Sequence, residues 1–204
     1  DATSGLASPG VTVWSGGTWQ SSALLTLDGV YPLGFRATDN AGNLATATRT
    51  ISVDTNPPTI NYTVSGTPGS NGWYVSKVVL FATASDFGSG VDTVLISDNG
   101  GSGKSSPIAL DDGIHNLTIT ATDKAGNSRL VSQTVYVDTT GPAISQFSTG
   151  TSGINGWYVS AVNVNATASD DGSGLQGDVE VSMDNGSTWN AVPVQLSDGL
   201  YDLI

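Results

Sequence analysis

The sequence predicts an all-β chain of tandem β-sandwiches, about seven strands each, stacked end to end as a rod. Three observations predict it. Ser and Thr make up about a quarter of the 204 residues and, with Val and Ile, favour strands over helices. Of 18 acidic residues, Glu180 is the only Glu; Asp belongs in turns, caps and hard-cation sites rather than on helix surfaces. Finally, several motifs return at one fixed step along the chain.

That step is 84 residues. "NGWYVS" stands at 71–76 and again at 155–160, "ATDNAGN" (37–43) returns as "ATDKAGN" (121–127), and "VDTNPP" (53–58) as "VDTTGP" (137–142). "SDFGSG" (85–90) matches "SDDGSG" (169–174), and "DATSGL" at the start occupies the same place in the order. The phase divides the chain into the later part of a repeat (residues 1–54), one complete repeat (55–138) and the earlier part of a third (139–204). A chain that opens on Asp1 and breaks off mid-pattern reads as a window on a longer array.

Within the complete repeat, strand-like runs fall near 59–65, 73–76, 77–85, 91–98, 106–110, 114–122 and 129–138, punctuated by Gly, Asp, Asn or Pro. That is the strand count of an immunoglobulin-like sandwich. In "AVNVNATAS" (161–169) the apolar residues Val162, Val164, Ala166 and Ala168 alternate with polar ones, which makes them the buried face. Carried back by the repeat, the buried set is Val78, Leu80, Ala82 and Ala84, with Phe81 outward. Leu117, Ile119 and Ala121 form the core face of a later strand, matched by Leu33, Phe35 and Ala37. Between repeats only "DTNPP" or "DTTGP" intervenes, and Pro restricts both itself and its predecessor, so the junctions read as semi-rigid.

Composition excludes several functions. A formal charge of −12 with six Lys or Arg argues against nucleic-acid or anionic-membrane partners. No Cys means no disulfide, zinc–thiolate site or thiol nucleophile, and no apolar run is long enough to insert in a membrane. His115, the single histidine, corresponds to Tyr31 and Tyr201 in the other repeats, so an amphipathic strand position explains it better than catalysis. No Ser–His–Asp set, phosphate loop or Glu pair is present, and the chain reads as non-catalytic.

Together, "NGWYVSAVNVNATASDDGSG" (155–174), "DNGSTW" (184–189), "DGIHNLTITATDKAGN" (112–127) and "VDTTGP" (137–142) resemble the bacterial Ig-like repeats of large cell-surface proteins and multimodular secreted enzymes. The resemblance covers nearly the whole chain. It implies stalks, spacers, adhesin shafts or filament walls outside the cell, and no particular activity. The middle repeat departs from it at "NGGSGKSS" (99–106), which lacks the Trp found as Trp19 and Trp189.

Calcium is the one chemical site the residues suggest. In this topology the exit Asp of one repeat meets the "SDxGSG" and "ATDxAGN" loops of the next, so Asp54, Asp86 and Asp123 are expected to converge at one junction, and Asp138, Asp170 and Asp171 at the other. The alternative is that each Asp closes its own turn by accepting backbone N–H groups. "NGWYVS" raises a second pair of readings. Trp73, Tyr74, Trp157 and Tyr158 either pack the junction to the following repeat, the structural reading, or offer a stacking platform for sugars. Asn61, Asn116, Asn165 and Asn185 head Asn-x-Ser/Thr sequons and are candidate glycosylation positions.

These readings converge on a structural or adhesive shaft of an extracellular surface protein, with neighbouring repeats of the same or adjacent chains, surface glycans or proteins as partners. Two alternatives stand beside it: a self-assembling filament whose chains complete one another's partial repeats, and an accessory carbohydrate-binding or spacer module of a secreted polysaccharide-degrading enzyme.

Overall fold

A computed structural model describes residues 3–15 and 17–201; the outermost residues of the first and third expected repeats lie outside the described ones. All regular structure among the described residues is strand or turn. Strands β1 (Leu6–Ser15), β2 (Thr18–Gln20), β3 (Gly29–Asp39) and β4 (Leu44–Val53) form an antiparallel sheet in the order β2-β1-β3-β4. The β3–β4 turn is made by "DNAGN". Asp39 Oδ1 accepts the N–H groups of Ala41 and Asn43, and Gly42 supplies a φ of 96° that a Cβ disfavours.

The next stretch holds β5 (Thr59–Ser65), β6 (Trp73–Tyr74), β7 (Val78–Ser85), β8 (Val91–Asp98), β9 (Lys104–Ser105), β10 (Ile108–Leu110), β11 (Gly113–Asp123) and β12 (Ser128–Val137). They divide into two sheets, β10-β7-β5 and β6-β12-β11-β8-β9, the two-layer arrangement of an Ig-like sandwich. Seven of these strands coincide with the predicted runs. The eighth, β9, pairs Lys104 and Ser105 with Ile96 and Leu95; two polar residues inside a glycine-rich loop carry no period-two signal.

Last come β13 (Ala143–Thr149), β14 (Val162–Ser169), β15 (Glu180–Val181), β16 (Asn190–Ala191) and β17 (Val194–Leu196), as a sheet β13-β14-β17 and a ribbon β15-β16. By contacts the chain groups into two compact units, one of Asp1–Val64, Leu80–Ile108 and Asn116–Gln133, the other of Ser65–Val79, Ala109–His115 and Thr134–Ile204.

Alternation sets the core. On β7, Val78 and Leu80 are fully enclosed and Ala82 nearly so, while Phe81 is 49% exposed. Leu117, Ile119 and Ala121 on β11 are enclosed too, as are Ile96, Leu110 and Val137. Each large aliphatic side chain removed from water in this way contributes about 2 kcal/mol before entropy. The same alternation on β14 leaves Val162, Val164, Ala166 and Ala168 only half-buried. In residues 55–138, β11 and β12 supply the enclosed rows Leu117, Ile119, Ala121, Val135 and Val137. The uncovered face opens into a cavity of about 570 Å³ lined by Phe147, Val164, Ala166, Val181 and Trp189.

Candidate functional site

Two chain junctions gather the charged side chains. At the first, Asp54 leaves β4 and its carboxylate enters the loop after β7. Its Oδ2 accepts the Ser89 N–H at 2.6 Å and its Oδ1 the Asn56 N–H at 3.2 Å. The Asp54 carbonyl accepts Asn127 Nδ2 at 3.1 Å. Asp86 Oδ1 closes its own loop on Gly90 N–H at 2.8 Å. Asp123 Oδ1 accepts Gly126 and Asn127 N–H, and its Oδ2 accepts Asn127 Nδ2 at 2.8 Å. The three carboxylates nevertheless come together, one oxygen of each lying within 4.8 Å of the others, with Asp123 buried and the other two half-buried.

Asp54, Asp86 and Asp123 thus each accept a backbone N–H two to four residues on, while one oxygen of each lies close to the others. Five of the six carboxylate oxygens accept a hydrogen bond; among the described residues Asp86 Oδ2 accepts none. A carboxylate oxygen has a second lone pair, so this donor set leaves room for a hard cation.

The second junction repeats the clamp without the cluster. Asp138 Oδ2 accepts Ser173 N–H at 2.7 Å, and its Oδ1 accepts the Thr140 N–H and hydroxyl at 3.2 Å each. Asp170 Oδ1 closes its loop on Gly172 and Gly174 N–H, and Asp171 is exposed. Asp138, Asp170 and Asp171 are not a group of three that closes to 4.8 Å among the described residues. The physical reason is that the third carboxylate at the first junction comes from a separate turn, at Asp123, whereas Asp171 shares a loop with Asp170 and is exposed.

Hydrogen bonding sets the electrostatics. Ser89, through its side chain first and its N–H second, holds the Asp54 carboxyl below the usual carboxylate range. Ser173 does the same for Asp138. Behind each linker a further Asp anchors the Thr that follows the exit residue. Asp28 Oδ1 accepts the Thr55 N–H and hydroxyl at 3.1 and 3.0 Å, and Asp112 Oδ1 those of Thr139 at 3.1 and 2.8 Å.

Trp73 and Tyr74 are half-buried and pair in parallel with Tyr136 and Val137 on β12. Trp73 also lines a cavity of about 230 Å³ together with Val75, Asp138, Ser173 and Leu175. Trp157 and Tyr158, the later copy, are 61% and 39% exposed. The tight turn is common to both: bridges Pro68↔Tyr74 and Ser152↔Tyr158 stand one repeat apart, and Asn71 and Asn155 share a φ of 53°. Of the sequons, Asn61, Asn116 and Asn185 are exposed and Asn165 is half-buried, its Oδ1 accepting the Ala166 N–H. His115 Nε2 donates to the Asp111 carbonyl at 2.9 Å, and Tyr31 hydroxyl to the Leu27 carbonyl at 2.6 Å. The two residues do one job, bracing the turn four residues back.

Comparison with known families matches residues 61–139 to one family and residues 2–55 to another, each described as "Bacterial Ig-like domain". The chain carries bacterial Ig-like domains. Domains of this kind are typically structural or spacer modules without catalytic activity, and are commonly extracellular. No curated protein matches the chain. Among solved structures, one described as "Structures of Clostridium thermocellum CbhA fibronectin(III)-like modules" is 19% identical, with a TM-score of 0.37 over 67% of this chain and 80% of that one.

Sequence reasoning named the aspartates of these Ig-like domains but not their donors. Ser89, Ser173 and Asn127 lie inside the recurring motifs "SDxGSG" and "ATDxAGN", so recurrence itself was the available signal. It also missed the β15–β16 hairpin staple. Asp184 accepts the Thr188 N–H and hydroxyl at 2.7 and 2.8 Å, and the fully enclosed Ser182 hydroxyl donates to Asp184 at 2.9 Å.

Proposed function

We propose that this chain is a non-catalytic, load-bearing spacer of an extracellular bacterial protein, built from tandem Ig-like repeats over residues 1–54, 55–138 and 139–204. The observation that carries the reading is the double anchoring of both linkers. Asp28 and Asp112 hold the linker Thr from behind, while Ser89 and Ser173 hold the exit Asp from ahead. A linker hydrogen-bonded on both sides transmits tension and limits bending, which is what a shaft requires and a flexible tether does not. Trp73 and Tyr74 serve the same role as junction packing. Pulling single molecules by their ends tests this. The complete repeat should unfold in one cooperative step, releasing roughly 280 Å of contour. Extension without a resolved unfolding step would overturn the reading.

The 4.8 Å gathering of Asp54, Asp86 and Asp123 supports a second element, a Ca²⁺ bound at the first junction. Calorimetric titration of the chain with calcium, paired with melting in chelator, tests it. Heat that vanishes in Asp86→Asn is the expected result; no heat and an unchanged melting temperature would end the calcium proposal.

A further inference from the structure

We infer that the loop Asp86–Gly90 is a receptor shaped for the exit aspartate of the repeat before it, with Asp170–Gly174 as its second instance, and that Gly88 and Gly172 are its selecting residues. The inference deepens the spacer reading by naming what joins one repeat to the next.

The two glycines carry the argument. A Cβ built on Gly88 would stand 2.5 Å from Cγ and Oδ2 of Asp54, and one on Gly172 would stand 2.5 Å from Cγ and Oδ2 of Asp138. Neither glycine has a left-handed φ, whereas Gly90 and Gly174 in the same loops have φ of 82° and 78°. Gly90 and Gly174 are therefore needed by the backbone. Gly88 and Gly172 are not: any residue adopts their conformation, and the space is what excludes one. The carboxylate is the group that fills this space.

The rest of each loop is built to hold that carboxylate. Asp86 Oδ1 on Gly90 N–H, and Asp170 Oδ1 on Gly174 N–H, fold the loop so that the N–H of the next Ser points at the arriving oxygen. Asn127 adds a latch on the Asp54 carbonyl. The depth of the recess suits a two-carbon acid: Glu would carry its charge one methylene too far, and Asn would replace one acceptor oxygen with a donor facing a donor.

A double-mutant cycle on the intact chain tests the pairing. Gly88→Ala should lower the unfolding midpoint and speed hydrogen exchange of the Ser89 amide by roughly tenfold, about the loss of one charge-assisted hydrogen bond. In an Asp54→Ala background the same substitution should add almost nothing, because the occupied space is then vacant. Gly172→Ala against Asp138→Ala should behave alike, read at Ser173. Gly141→Ala, in the second linker with nothing within 4 Å of its Cβ, is the control and should leave both amides unchanged. If Gly88→Ala and Gly172→Ala cost the same whether or not the aspartate is present, the receptor is refuted. The cycle is read at equilibrium on two amides, so it stands or falls apart from the pulling experiment that judges the spacer reading.

Discussion

The indole of Trp73 lies 5.4 Å from the ring of Tyr136, tilted by 56°, and the two residues are direct partners in the parallel bridge between β6 and β12. Two residues past Tyr136, the Asp138 N–H donates to the Tyr74 carbonyl at 2.9 Å. The aromatic pair thus sits at the point where the chain leaves its last strand for the linker, tying ring packing to the exit residue.

Trp73→Ala should therefore destabilise the chain by about 2 kcal/mol, less than a fully enclosed Trp because the ring is only half-buried. Trp157→Ala, whose ring is 61% exposed, should cost less than about 0.5 kcal/mol. Denaturant unfolding of the two variants checks the difference. Equal losses would mean that the β12 partnership adds nothing.

The core prediction follows from alternation. Leu80→Ala should cost about 3 kcal/mol, and Phe81→Ala, one residue along and facing out, less than about 0.5 kcal/mol. Thermal melts of both variants provide the measurement.

Acid should weaken the junctions. The folded-state carboxyls of Asp54 and Asp138 lie below the usual carboxylate range, held there chiefly by Ser89 and Ser173. Their contribution is fully present above the unfolded value and drains away as pH falls through the folded one, so stability should decline below about pH 5. Asp54→Asn and Asp138→Asn should each flatten the acid limb. Melting temperature against pH for the two variants and the parent chain checks this.

Asp184→Ala should loosen the β15–β16 hairpin. It removes acceptors for the Thr188 N–H and hydroxyl and for Ser182, and should lower local stability. Faster exchange of the Thr188 amide, with the Ser89 amide unaffected, is the expected signature.

How far the sequence reaches is clear from particular residues. Leu80 and Phe81 were legible because period-two alternation is a local property of the chain, as was the turn at Asn71, where Asn–Gly announces a left-handed φ of 53°. The convergence of Asp54, Asp86 and Asp123 was legible only through topology, by knowing which loops share an end of the sandwich. Gly88 was not legible at all. A glycine in a polar loop reads as a turn former, and only the position of the Asp54 carboxylate shows that it is kept for space. The half-buried state of Val164 was equally hidden, since burial depends on a facing sheet rather than on the strand's own pattern.

Because residues 55–138 hold both an acceptor loop, Asp86–Gly90, and a matching acid, Asp138, copying that stretch in the gene yields two compatible seams without any compensating change. Length can then be altered by unequal recombination, one whole copy at a time, while every new boundary keeps the chemistry of the old.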